Sequence, residues 1–262
     1  MKTALTVAAL AILTLGAAPA PKLAVTPAPL QGYLGAAAPD TTGILPPAPV
    51  AGSTRYEADR TIFLQTRAMK DSERWVMATK DADQPSIIRE MRCALGVDLT
   101  AGNTPKTRLL LQRIERDATS VTNPPKAFYK RKRPYLIDEG STCIDKTDSL
   151  AASPDYPSGH NTYAWAVGLV LAELAPDQSI PILSRARAFG EGRLVCGVHN
   201  LSAVEAGRLN GSIMVAVLHG VKPFRDDMEA ARKELAAARA AGPAPDPAAC
   251  ASDAALISKS PY

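Results

Sequence analysis

Residues 157–174 read PSGHNTYAWAVGLVLAEL. From Tyr163 to Leu174 the stretch is apolar nearly all round, which marks a central helix buried on every side. Gly168 interrupts it, and Glu173 and Pro176 end it short of the ~20 apolar residues a membrane span needs. A helix of this kind needs a shell of other helices, and the flanking sequence offers them. Leu110, Ile114, Ala118 and Val121 keep one helical face, and Ala164, Val167, Gly168 and Leu171 keep another. Leu209, Ile213, Ala216 and Val217 share a third such face, read as buried. No alternating period-2 run of useful length occurs, and no internal repeat. The expected fold is all-α: a single compact helical domain around a central apolar helix.

Proline and glycine punctuate the pattern. Asn123-Pro124-Pro125 is expected to start a helix, Ser153-Pro154 and Pro157 to frame a loop, and Gly197 to break a helix. Phe224 to Ala241 reads as a last, surface-charged helix stopped by Gly242-Pro243. Composition alone places the domain at about residues 50–242 with extended ends: a Pro-rich N-terminal segment and a Pro/Ala-rich tail over 243–262.

The chain has 262 residues, 46% hydrophobic and 21% charged, enough for one sizeable core. Its net charge of +4 is spread along the chain, too mild to imply nucleic acid or an anionic membrane surface. Residues 1–20 read as an export signal. Lys2 is the positive region, Ala4 to Leu15 the apolar region, and Ala18-Pro19-Ala20 a small-residue cleavage site. That predicts a periplasmic or secreted protein with no stable membrane insertion after processing. Cys93, Cys143, Cys196 and Cys250 are even in number, which permits disulfides in an oxidising compartment. Three pairings are open. No closely spaced Cys/His group suggests a metal site.

Three blocks carry the chemistry: Lys126-x6-Arg133-Pro134, Pro157-Ser158-Gly159-His160 and Arg193-x5-His199. Lys126 and Arg133 are two turns apart and are expected on one helical face, with Pro134 ending that helix. Taken alone, the run of five cations from Lys126 to Arg133 reads as a solvated basic face. Ser158 and Gly159 stand before the apolar helix, where free N–H groups and a hydroxyl suit an anion. His199 is expected at a helix junction, free to point into a cleft. Together the blocks hold the parts of a metal-free phosphomonoesterase. Cations neutralise the non-bridging oxygens, one imidazole attacks phosphorus, and the other protonates the leaving oxygen.

These blocks resemble the signature of the type-2 phosphatidic acid phosphatase and vanadium haloperoxidase superfamily. Within it the chain looks like the bacterial class A nonspecific acid phosphatases, from about Pro39 to Leu235. The likeness includes Ile44-Leu45-Pro46-Pro47, Ser141-Thr142-Cys143 and Cys196-Gly197-Val198-His199. It moves the domain start to residue 39 and leaves 21–38 as an extended lead-in. The resemblance implies that Lys126, Arg133, Ser158, Gly159 and Arg193 bind phosphate, that His160 is the general acid and that His199 is the nucleophile. It implies small phosphorylated substrates, phosphate or vanadate as ligands, no nucleic acid, no metal or other cofactor, and room for a homo-oligomer.

Two positions depart from that signature. Gly192 stands where it has serine, and Ala203 where it has aspartate, one helical turn after His199. The missing aspartate would orient the imidazole. Glu205 lies roughly 200° around the helix from Ala203 and is a poor substitute. Ser202, Asn200 or a distant carboxylate are the remaining candidates. The expected function is therefore an acid phosphatase working through phosphohistidine, slowed by Ala203. The alternative is a non-catalytic phosphate or phosphoester binder. Halide oxidation with bound vanadate and a basic binding module are weaker readings, and His219 reads as structural.

Overall fold

A computed structural model describes residues 29–262. The signal segment and the first part of the lead-in, residues 21–28, lie outside the described residues. The helices in chain order are α1 (Thr54–Thr66), α2 (Glu73–Lys80), α3 (Ser86–Glu90), α4 (Arg92–Leu95), α5 (Pro105–Tyr129), α6 (Asp148–Ala152), α7 (Gly159–Leu174), α8 (Ser179–Val195), α9 (Leu201–Leu218), α10 (Lys222–Ala241) and α11 (Pro247–Ile257). No strand occurs among the described residues.

Helix α7 is the expected central helix. Tyr163, Val167, Val170 and Leu171 are wholly buried, each worth about 1.5–3 kcal/mol in removed apolar surface. It packs along α8, α9 and α5, and α10 closes over α5. The approach of α9 to α7 depends on two glycines. A Cβ at Gly207 would come within 2.6 Å of the Ser158 carbonyl oxygen, and one at Gly211 within 2.6 Å of the Thr162 carbonyl oxygen. This close approach corrects the face expected for α9. Leu209, Ala216 and Val217 are exposed, and the helix turns Ala203, Val204, Gly207, Gly211 and Met214 inward. Small residues win the inner face because backbone meets backbone there. Among the described residues α9 is also the one helix long and apolar enough to cross a membrane by length and composition. More than half of it is buried within the protein.

The second correction concerns α5. Pro124 and Pro125 lie inside this 25-residue helix and do not start one. Pro125 leaves the Val121 carbonyl without its helical donor. Thr41 Oγ1 at 3.5 Å and Asn210 Nδ2 at 3.4 Å supply donors instead. The carboxylate of Glu234, on α10, accepts from the backbone N–H groups of Lys106 and Thr107 at 3.0 and 2.7 Å, capping the other end of α5. The helix stops at Tyr129, where Lys130 takes a left-handed conformation with φ of 48°. Arg133 therefore lies on the following extended loop, not two turns along the face of Lys126.

The ends are more ordered than composition suggests. Leu34 joins the main core, and the backbone N–H groups of Tyr33 and Leu34 donate to the buried Asp117 carboxylate at 2.8 and 2.9 Å. The tail carries α11, so it is not extended throughout, and a Cys93–Cys250 disulfide ties that helix back to α4. Cys143–Cys196 is the second disulfide, joining the loop before α6 to the C-cap of α8. Arg67 braces the same turn by donating to the Leu194 and Val195 carbonyls at 2.5 and 2.8 Å. His219 is half-exposed and pairs with Glu173 at 3.1 Å.

Candidate active site

Four segments meet beside the N-terminus of α7. They are the last turn of α5, loop 130–134, loop 153–158 and the turn between α8 and α9. Gly197 allows the last of these, with φ of 77°. Its Cβ would also strike the Arg67 guanidinium at 2.3 Å, so no side chain fits there. The turn delivers His199 just before α9, buried at the junction where the sequence puts it.

The surroundings of His199 decide which nitrogen carries its hydrogen. Nδ1 lies 2.9 Å from Asp155 Oδ1, a carboxylate that accepts. Nδ1 therefore holds the hydrogen, and Nε2 presents its lone pair. Arg133 Nη1 sits 3.2 Å from that Nε2. Burial, then the charges of Arg133, Lys126 and Arg193, push the imidazole well below the usual histidine range. All three cations named by the motif thus bear on His199.

His160 is in the first turn of α7, stacked on Phe189 with ring centroids 4.9 Å apart. Its Nε2 is 2.8 Å from the Asp81 carbonyl oxygen. A carbonyl only accepts, so Nε2 carries hydrogen and Nδ1 is the nitrogen that can exchange a proton. Arg185 fixes Asp81 with a bidentate pair at 2.9 and 2.6 Å. Burial, then Arg193, lower this imidazole as well.

The cations differ in how their donors are used. Arg133 donates from Nε to the Leu150 and Ser153 carbonyls and from Nη1 to that of Val198, each at 2.8 Å. Lys126 Nζ reaches the Pro154 carbonyl and, at 3.5 Å, Ser153 Oγ. Burial and Arg133 push its ammonium down to about 8. Arg193 is buried with Nε and Nη1 unpartnered. A buried guanidinium with spare donors is costly unless an acceptor comes to it. Ser158 caps α7, its Oγ accepting from the Asn161 N–H at 3.3 Å, and Gly159 is the first helical residue. A cleft of about 130 Å³, lined by Gln84, Thr122, Asn123, Lys126, Ser153 and Gly159, opens on one side. An open depression of about 480 Å³ with Arg133 and Ser153 in its wall lies on the other. A hollow of about 440 Å³ beneath α11 touches this region at Asp81 and its partner Arg185.

Comparison with known proteins follows the same residues. Residues 117–226 match the PAP2 superfamily. An acid phosphatase of Zymomonas mobilis is 40% identical over 79% of this chain and 79% of that protein. Non-specific acid phosphatases of Providencia stuartii and Salmonella typhimurium are 34% and 32% identical. They align over 75% and 73% of this chain, and over 81% and 78% of their own lengths. The chain belongs to the PAP2 superfamily.

As a PAP2 protein it keeps every cation and histidine of the signature and departs at the two positions noted above. At Gly192 a Cβ would meet Ala78 and Asp81 Oδ2 at ordinary contact distances of 3.7 Å, so nothing in the structure requires glycine there. Ala203 is buried in an apolar cluster with Tyr156 and Ala206, and its carbonyl accepts from the Ser158 N–H at 2.9 Å. Glu205 faces outward and pairs with Arg55. Asp155 is the residue that the motif did not reveal. It lies in the loop framed by Ser153-Pro154 and Pro157, and no spacing rule connects it to a histidine 44 residues later.

Proposed function

We propose that the chain is an exported acid phosphatase that hydrolyses organic phosphomonoesters through a phosphohistidine at His199. The observation that carries this reading is the orientation of that ring. Its Nδ1–H is turned to a carboxylate, and Nε2 keeps its lone pair among three cations, with Arg133 Nη1 3.2 Å away. Arg193, Arg133 and Lys126 hold the phosphoryl oxygens, with Ser158 and Gly159 adding donors at the α7 N-terminus. The Nε2 lone pair attacks phosphorus as the bond to the leaving oxygen breaks. His160 Nδ1 gives that oxygen its proton. Water then attacks the phosphohistidine, passes a proton to His160, and inorganic phosphate leaves. A bound dianion opposes the burial and the Arg193 charge that depress His160, favouring the charged imidazole when substrate is bound. A depressed His199 stays neutral, hence nucleophilic, in mildly acidic medium.

Export is supported by the leader at residues 1–20 and by the pairing of all four cysteines, which suits an oxidising compartment. One experiment tests the whole reading. Full-length chain is produced in a bacterial host, and the periplasmic fraction is assayed with p-nitrophenyl phosphate at pH 5–7 and acid-quenched for phosphoprotein. Turnover, a mature N-terminus near residue 20, and a phosphoryl group labile to acid and stable to base are expected. Phosphate binding without turnover would favour the non-catalytic reading, which Ala203 motivates and the nearness of Asp155 to His199 weakens.

Phosphate inhibition adds a second check. Lys126 loses its charge above about 8 in the empty site, and a bound dianion restores it. Affinity expressed for the phosphate dianion should therefore be level up to about pH 8, then fall toward ~10-fold per pH unit. Inhibition constants measured from pH 5 to 9.5 should show this bend, and Lys126→Gln should lack it. The same bend in Lys126→Gln would assign it to another group.

A further inference from the structure

We propose that Asp155 is the positioning residue of His199, replacing from loop 153–158 the carboxylate that the signature sets at position 203. The proposal rests on His199 as the nucleophile. Its basis is a buried network with Asp155 at the centre. Asp155 is wholly buried. Its Oδ1 accepts from His199 Nδ1 at 2.9 Å and from the Asn200 backbone N–H at 3.2 Å. Its Oδ2 accepts from Asn200 Nδ2 at 2.8 Å and lies 3.6 Å from Arg131 Nη1. The Asp155 backbone N–H donates to the Arg131 carbonyl at 2.8 Å, so main chain and side chain are both pinned.

The second layer is equally complete. Arg131 donates to Asp59 at 2.8 Å and to Ser202 Oγ at 2.6 Å. Asp59 also accepts from the Ser202 backbone N–H at 2.9 Å. Asp59 comes from α1, Arg131 from the loop after α5, and Ser202 from the first turn of α9. Three elements therefore hold one carboxylate against one ring nitrogen. Ala203 is buried beside Tyr156 and Ala206 in an apolar cluster, surroundings that do not suit a carboxylate.

The chemical role follows from charge. When Nε2 bonds to phosphorus the imidazole keeps its Nδ1 hydrogen and becomes cationic. Asp155 stays ionised and neutralises that charge, and throughout it forbids the tautomer with hydrogen on Nε2. A carboxylate that served packing alone would be replaceable by an amide without chemical consequence.

Asp155→Asn is the test. It should keep the fold by circular dichroism, lower kcat ~10³–10⁴-fold, and change the phosphate inhibition constant by less than about 3-fold. The acid limb of kcat/KM should move to lower pH, because the negative charge beside His199 is gone. Lys126, Arg133, Arg193 and His160, the other groups bearing on that ring, are left in place. A kcat within about 3-fold of the parent would overturn the proposal. So would parallel losses of kcat and phosphate affinity with an unmoved pH profile, the mark of a purely structural residue. The ¹⁵N shifts of the parent's His199 give a reading that needs neither turnover nor a variant. Hydrogen on Nδ1 is expected, and hydrogen on Nε2 sinks the idea. A parent without turnover but with the Nδ1 tautomer would count against the phosphatase reading and for the positioning of His199.

Discussion

Replacing His199 with alanine is expected to lower kcat for p-nitrophenyl phosphate by ~10⁵-fold or more while phosphate still binds. The nitrogen proposed to attack phosphorus is gone in this variant. Losses of about 10⁶ are known when a nucleophile or its base is deleted from a cooperating set. Binding should survive because its parts lie elsewhere. Arg193 keeps its unused donors, Lys126 its ammonium, and Arg133 Nη1 is released from the 3.2 Å contact with the ring. The inhibition constant for phosphate should stay within about 3-fold of the parent at pH 6. The fold should also hold, since Asp155 retains Asn200 and Arg131 as partners. Steady-state kinetics and phosphate inhibition on the two proteins decide the matter. Residual turnover within about 10-fold of the parent would move the nucleophile away from His199.

Replacing Arg131 with methionine should be the most damaging single change to stability. Its guanidinium is buried between Asp59 at 2.8 Å and Asp155 at 3.6 Å. Methionine removes the cation and leaves two acids facing each other away from water. Breaking a buried pair in this way costs about 3–5 kcal/mol. For a chain of this size that is a fall in Tm of roughly 6–20 °C. The sign of the pH dependence is fixed. Burial already raises the Asp155 carboxyl, and Arg131 is the first group opposing it. Without Arg131 the folded state holds a proton on Asp155 to higher pH than the unfolded chain does. The deficit should therefore be fully present at neutral pH and shrink as pH falls through the raised value. Thermal melts at pH 7 and pH 4.5 test both claims. A Tm within about 2 °C of the parent at pH 7 would show that the network contributes little.

Arg131 also shows where sequence reading loses resolution. It sits in a run of five cations that alone suggests a solvated basic face. The structure divides that run by role: Lys126 and Arg133 face the histidines, Arg131 is a buried counter-ion, and Lys130 ends the helix in a left-handed turn. The same limit explains α5 and α9. A Pro-Pro pair reads as a helix start because the donors that take up the freed Val121 carbonyl come from Thr41 and Asn210, about 80 and 90 residues away. Apolar periodicity chose the outer face of α9 because glycine and alanine carry little hydrophobic signal. Their value is the close backbone approach they permit.

By itself the sequence determined the central helix and the all-α class, and it set out the residues of the candidate site. An all-round apolar run can only be buried, whereas the cations and histidines gained their reading from their combination and from the family resemblance. The helix junction at His199 was equally legible, because Gly197 and the helix start after Asn200 are local signals. Tertiary structure alone decided the cysteine pairing, the ordered tail and the partner of the His199 ring. A hydrogen bond depends on position in space and leaves no trace in spacing. The carboxylate at Asp155 fills its role 48 residues before the place where the pattern looked for it, at Ala203.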